Sequence, residues 1–273
     1  MSSEKIKEIL RSLDIRPTKD KGQNFLLDPS ALQAIVDGGK LKGGERIIEI
    51  GPGLGVLTKE LSHHGNLTVI EIEENFCGYL KENIPDLDIV QEDVRSVDFS
   101  EFGEELVVYG NLPYSFSTDI IFHLVAYASN ISRAVLLLQK EFAERVAASP
   151  GGRDYGVLSI NVGLWADAKL GKVVSGQDFY PTAKVDSQVL TLKFLDKPRF
   201  DIHDSFTYQQ LVRAAFFKRR RKLLNSVMAS HIFEKEAFES AVKSIDFDID
   251  RRAETISLEE YVQLANALFS LNS

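Results

Sequence analysis

Leu106-Val107-Val108-Tyr109-Gly110-Asn111-Leu112-Pro113-Tyr114 is an apolar run that ends at once in a stiff polar turn. The four β-favouring residues at its start read as a buried strand. Pro113 fixes its own φ and pushes Leu112 into an extended conformation. The Asn111 side chain and the Leu112 carbonyl can then point the same way. Together they form two adjacent acceptors that match the two hydrogens of an exocyclic amino group. Tyr114 adds a flat face on which a base can stack. These residues alone describe an ordinary strand end equally well, so the segments on either side carry the decision.

Upstream the same grammar recurs three times. Arg46-Ile47-Ile48-Glu49-Ile50 reads as a strand, Gly51-Pro52-Gly53-Leu54-Gly55 as a glycine loop, and the next segment as a helix with Leu57 and Leu61 inward. Glycines let backbone approach a ligand closely, and a helix N-terminus offers free N–H groups. The spacing is not the dinucleotide fingerprint, and no Lys-Ser/Thr pair follows to make a phosphate loop. The second strand, Leu67–Ile72, carries Glu71 near its end, where a carboxylate can take both hydroxyls of a ribose. The third, Ile89–Val94, carries Asp93, which reads either as a turn cap or as an acceptor for an adenine amino group, with the Val94 N–H facing a ring nitrogen. Glu71, Asp93 and Asn111 all fall at the C-terminal ends of successive strands, the edge where open α/β sheets bind ligands. Further upstream, Asp28 reads as the N-cap of a helix beginning at Pro29.

Downstream, a helix follows Tyr114, and Ala134–Gln139 reads as a fifth strand with a helix behind it through Val146. Tyr155–Trp165 reads as a helix. Two further strands, Lys172–Val174 and Gln188–Phe194, flank the loop Phe179–Ser187. Lys197-Pro198 marks a boundary, and only helical periodicity lies beyond it. The expected organisation is therefore an α/β domain over 1–196 and a small all-α domain over 197–273. Ser257-Leu258-Glu259-Glu260 matches a capping box for the last helix.

The 273 residues are 44% hydrophobic and 26% charged, an ordinary globular composition. Ala134–Leu138 is the longest aliphatic run, too short to span a bilayer, and Met1–Lys5 lacks a signal-peptide core. One cysteine, Cys77, rules out an intramolecular disulfide and a thiolate cluster, and no His/Cys/carboxylate grouping has metal spacing. A reducing cytoplasmic setting, no membrane and no metal are expected, and nothing in the sequence demands more than a monomer. Net charge is −8, yet residues 197–230 hold eight basic side chains against two acidic ones. That segment is +6, which leaves −14 for the rest, and a basic patch of this kind steers a polyanion to one face. Arg213 and the unbroken run Lys218, Arg219, Arg220, Arg221 and Lys222 are its candidate RNA contacts, with Lys197 and Arg199 making up the eight.

Taken in order, Gly22–Leu26, Glu49–Gly55, Val69–Ile72, Asn111–Tyr114, Leu138–Glu141, Phe179–Ser187 and Ala214–Asn225 resemble the small-subunit ribosomal RNA adenine N6,N6-dimethyltransferases across nearly the whole chain. The resemblance implies a Rossmann-like class I methyltransferase sheet, mostly parallel with one antiparallel strand, and a small helical RNA-binding domain. It implies S-adenosyl-L-methionine as cofactor, held by Gln23, Asn24 and Leu26 at the methionine end and by the loop of Gly51 and Gly53. Glu71 would take the ribose, and Asp93 with Val94 the adenine. Asn111, Leu112 and Tyr114 would hold the target adenine, with Asn111 also beside the cofactor, and Phe179 would stack on the base. Ribosomal RNA in the small subunit or its precursor is the implied partner, with a role in ribosome assembly. The family often has proline where Ala183 stands, and many members are basic overall. The competing readings are a resistance-type methyltransferase of large-subunit RNA, a mainly non-catalytic assembly factor, and a DNA amino methyltransferase.

Overall fold

The computed structural model describes residues 1–15, 24–113 and 115–272. The chain divides into two compact units, one of residues 1–143 with 166–196, the other of 144–165 with 197–273.

In the first unit, helix α1 (Ser3–Ser12) precedes the two-residue strand β1 (Phe25–Leu26). Helix α2 (Pro29–Gly38) begins where the sequence places it: Asp28 accepts from the Ser30 and Ala31 N–H groups, and Pro29 opens the first turn. Strand β2 (Glu45–Ile50) leads through the glycine loop into α3 (Val56–Leu61), and β3 (Gly65–Ile70) into α4 (Glu74–Asn83). Strand β4 (Asp88–Val90), β5 (Leu106–Asn111), α5 (Ser117–Ala126), β6 (Ile131–Gln139) and α6 (Lys140–Val146) follow, and the division between units falls inside α6. After α7 (Val157–Trp165), the chain returns with β7 (Ala166–Val174), β8 (Phe179–Tyr180) and β9 (Ser187–Phe194).

The main sheet runs β4-β3-β2-β5-β6-β9-β7. Every pairing from β4 to β6 is parallel, and β9 is antiparallel to both of its neighbours. The chain works outward from β2 to β4, then crosses back to β5 on the other side of β2. That reversal makes a topological switch point between β2 and β5, where a crevice opens at the strand C-termini. The central strands are buried on both faces: Leu106 to Tyr109 of β5 are 0% exposed. Tyr109 reaches out of the sheet to donate its hydroxyl to the Val36 carbonyl of α2 at 3.1 Å. Space for that ring exists because position 39 is glycine; a Cβ there would stand 1.8 Å from the Tyr109 hydroxyl. The Gly39→Ala protein should therefore lose about 1–3 kcal/mol of stability by overpacking, read as a lower denaturation midpoint at unchanged slope.

The second unit holds α7 with α8 (Ser205–Phe216), α9 (Leu223–Ser230), α10 (Lys235–Ser244) and α11 (Leu258–Asn272). Its core is built on Tyr208, Leu211, Phe238, Tyr261 and Leu264, each at most 2% exposed. The capping box forms: the Glu260 carboxylate accepts from the Ser257 N–H at 2.8 Å and the Ser257 hydroxyl from the Glu260 N–H at 3.2 Å. One boundary differs from the sequence expectation. Residues 144–165 group with the helical unit, not with the α/β domain, because Tyr155, Ile160 and Leu164 are buried in the helical core. A helix inserted between two strands of one sheet gives no local sign of which core it will join. Among the described residues, no helix is long and apolar enough to cross a membrane.

Candidate active site

The register of the sheet explains why the predicted residues meet. Ile50 pairs with Ile70 on one side and with Gly110 on the other. Gly51, Glu71 and Asn111 are therefore the next residues on three adjacent strands and leave the sheet at one level. They line a cavity of about 440 Å³ together with Asn24, Leu26, Gly53, Asp93 and Val94. That size suits a small-molecule site.

The glycine loop has the conformation its sequence demands. Gly51 and Gly53 have φ of 65° and 53°, in the left-handed region. A Cβ at Gly51 would meet nothing within 4 Å, so the backbone there is bare toward the cavity. Glu71 is 6% exposed, and its two carboxylate oxygens accept from the Gly53 N–H at 3.2 Å and the Glu73 N–H at 3.0 Å. Burial pushes its pKa up, against these two N–H groups that favour the ionised form. Glu71 thus ties the glycine loop to the end of β3 while facing the cavity.

Asp93 lies past the end of β4, on a turn where it caps a short 3₁₀ helix (Val94–Ser96). The turn-cap reading of this residue is met, and its side chain also lines the cavity. The Arg95 guanidinium donates to both Asp93 oxygens, with Nε 3.0 Å from Oδ1, and holds the carboxyl below the usual range. Arg95 also stacks on the Phe116 ring at 4.5 Å.

At the head of β5, the Asn111 amide nitrogen donates to the Asn24 carbonyl at 2.9 Å. This sets the amide orientation and leaves Oδ1 as its acceptor end. The Leu112 N–H donates to the Leu137 carbonyl at 3.2 Å, which anchors the turn to β6. The Leu112 side chain is 1% exposed and does not line the cavity, so any part it takes falls to its backbone. Gln23 and Tyr114 lie outside the described residues.

Phe179 departs from its expected place. It is 2% exposed, packs in the core with Leu26, Val174 and Val189, and does not line the cavity. The cause is the ribbon β1–β8, in which Leu26 pairs with Phe179 and Phe25 with Tyr180. Alternation along β8 then turns Phe179 inward, and Tyr180 packs on the neighbouring cluster of Ile6, Phe25 and Leu54. The basic run is exposed throughout. Within it, Arg219 donates to the Tyr155 carbonyl at 3.0 Å and to that of Arg153, and Lys222 pairs with Asp250 at 2.7 Å.

Sequence reading missed Glu49 as a site residue. It lines the cavity at 2% exposure, its Oε2 has no hydrogen-bond partner, and burial pushes its pKa up to about 8. The available signal was a carboxylate set among the isoleucines Ile47, Ile48 and Ile50 at the buried end of β2. Arg95 and Phe116 are further lining residues that carried no motif. Among the described residues, Glu49, Glu71, Glu73, Glu92 and Asp93 set five carboxylates around the cavity against one cation, Arg95. Such a lining favours a ligand that carries positive charge. Among the described residues, no group of three or more His, Cys, Asp or Glu is arranged to hold a metal ion.

A family model described as "Ribosomal RNA adenine dimethylase" matches residues 16–269. The chain belongs to the ribosomal RNA adenine dimethylase family. A ribosomal RNA small subunit methyltransferase A from Myxococcus xanthus is 38% identical to this dimethylase, over 96% of its chain and 94% of the relative. A crystal structure of a dimethyladenosine transferase from Plasmodium falciparum matches with a TM-score of 0.79 at 25% identity, covering 91% of this chain and 98% of the other. A 23S rRNA methyltransferase shares the fold at 21% identity, with a TM-score of 0.69 over 90% of this chain and all of the other. The dimethylase is thus a ribosomal RNA adenine dimethyltransferase with a Rossmann-like, mostly parallel sheet.

Proposed function

We propose that this enzyme uses S-adenosyl-L-methionine to dimethylate the N6 amino groups of adenines in the small ribosomal subunit or its precursor. The observation that carries the reading is the unpartnered Oε2 of Glu49 at a cavity rimmed by carboxylates and a bare glycine loop. A buried acceptor without a partner is costly, and a cationic ligand supplies one. S-adenosylmethionine fits: it carries a sulfonium and an ammonium, and its methyl is an electrophile that an amine can attack. Asn24, Leu26, Glu49 and the Gly51–Gly53 loop would hold its methionine end, with Gln23 as a further contact. Glu71 would take the ribose hydroxyls, and Asp93 with Val94 the adenine ring.

An adenine amino nitrogen is a poor nucleophile, because its lone pair is delocalised into the ring. Asn111 Oδ1 and the Leu112 carbonyl accept its two hydrogens in this reading, which favours a pyramidal nitrogen with an available lone pair. Asn111 is an amide and takes no proton; it works by position. The new N–C bond would replace the methyl–sulfur bond, S-adenosylhomocysteine would leave, and the surplus N–H proton would pass to water. After one methyl is added, a single N–H remains, so the second transfer needs room for the amine to turn. Tyr114 stacks on the target base in this reading. Arg213 and Lys218 to Lys222 contribute salt-sensitive contacts to phosphate. The enzyme works as a monomer in the cytoplasm and also serves subunit assembly.

The test is transfer of radiolabelled methyl groups to unmodified small subunits, large subunits and duplex DNA. Dimethyladenine in small-subunit RNA is the expected product. Label confined to the large subunit would favour the resistance-type activity. Tight subunit binding with no label anywhere would make the assembly role primary.

A further inference from the structure

Helix α8 leaves two phenylalanines in water. Phe206 is 68% exposed and Phe217, just past the last turn with helical φ −58° and ψ −42°, is 54% exposed. The opposite face of α8 is spent on the core, through Tyr208, Leu211, Val212, Ala214 and Ala215. The outer face reads Phe206, Gln209, Arg213 and Phe217, all exposed, in steps of three, four and four. Those steps keep one line along a helix. Core packing accounts for the inner face and gives no reason for aromatic residues on the outer one.

The surroundings of the stripe say what it would meet. Arg213 stands between the two rings, and the Lys218 ammonium lies 4.9 Å from the centre of the Phe217 ring. Arg220 and Arg221 follow, also exposed. No acidic residue occurs from Ser205 to Lys222. A protein partner bound by aromatics alone would not need this one-sided charge, whereas single-stranded nucleic acid uses both parts. Aromatic faces take bases whatever their identity, and cations follow the phosphates. Eleven residues of helix separate the rings by about 16 Å. They would therefore hold two separate nucleotides rather than two neighbours in one stack.

We propose that the outer face of α8 is a docking surface for unpaired bases of ribosomal RNA. Phe206 and Phe217 take one base each by stacking, and Arg213 and Lys218 hold the adjoining phosphates. The inference rests on the reading of this chain as an enzyme of small-subunit RNA, and it adds a contact that the basic run alone does not supply.

The test is equilibrium binding of the full chain to unmodified small subunits and to their protein-free RNA over a series of salt concentrations. The Phe206→Ala/Phe217→Ala protein should bind on the order of tenfold or more weakly to both, with an unchanged slope of log affinity against log salt. Arg213→Gln should weaken binding and flatten that slope by about one ion. Thermal unfolding of each variant should match the parent, since the replaced side chains are exposed. Parent-like binding by the double phenylalanine variant overturns the proposal. A loss confined to intact subunits assigns the face to a ribosomal protein and also overturns it. Parent protein that binds neither form of the small subunit overturns the functional reading, and this proposal with it.

Discussion

Asn111→Ala should lower methyl transfer to small-subunit RNA by roughly 10²–10³-fold, the size of effect seen when one positioned hydrogen-bonding group is removed from a reacting centre. The expectation follows from where the amide is held. Its nitrogen is committed to the Asn24 carbonyl, and the Leu112 N–H to the Leu137 carbonyl, so both residues of the turn are braced from behind. Alanine removes the acceptor and leaves the brace on Leu112 intact. The loss should therefore appear in kcat, with affinity for small subunits within about twofold of the parent, since phosphate contacts supply most of that affinity. Asn111→Asp separates geometry from charge. A carboxylate can accept the same hydrogens but meets the Asn24 carbonyl acceptor to acceptor, so it should restore little activity. Single-turnover rates on pre-bound subunits measure the step directly. A kcat unchanged in Asn111→Ala would remove the amide from the chemistry and leave orientation to the Leu112 carbonyl alone.

What the sequence made legible follows physical range. Asn111, Glu71 and Asp93 were legible as cavity-lining residues because each lies at or just past the end of a short strand, and strand ends gather at one edge of an α/β sheet. The helix caps at Asp28 and Ser257 were legible for the same reason, being interactions over three residues. The ribbon β1–β8 was not, because each strand is two residues long and its partner lies more than 150 positions away. That one pairing decides which way Phe179 faces, and so a stacking residue expected from resemblance is found in the core. The grouping of residues 144–165 with the helical unit likewise has no local signal. The Arg95–Phe116 stack joins the turn after β4 to the start of α5 and likewise has no local pattern.

Glu49 supplies the second large effect, in the pH dependence of stability. Burial raises its pKa from 4.5 to about 8 in the folded protein, with the neighbouring Glu71 charge adding in the same direction. The folded state then binds a proton that the unfolded chain has released. Below pH 4.5 both states are protonated and the group costs nothing. Between about pH 4.5 and 8 the unfolded chain ionises first, so stability falls as pH rises; above 8 the fall levels off. The full loss is on the order of 3–5 kcal/mol. Glu49→Gln carries no such proton. Its stability should decline less than the parent's from pH 5 to 9, and at pH 8.5 it should be the more stable protein in denaturant titrations without cofactor. Binding should show the opposite order. A cation at the cavity stabilises ionised Glu49, so S-adenosylmethionine should protect the parent more strongly as pH rises toward 8 and release a proton to do so. In Glu49→Gln the protection should be weaker by tenfold or more in Kd and indifferent to pH. Calorimetry in two buffers of different ionisation enthalpy counts that proton. Equal proton release by parent and variant would place the charge coupling elsewhere, with Glu71 the next carboxylate to replace.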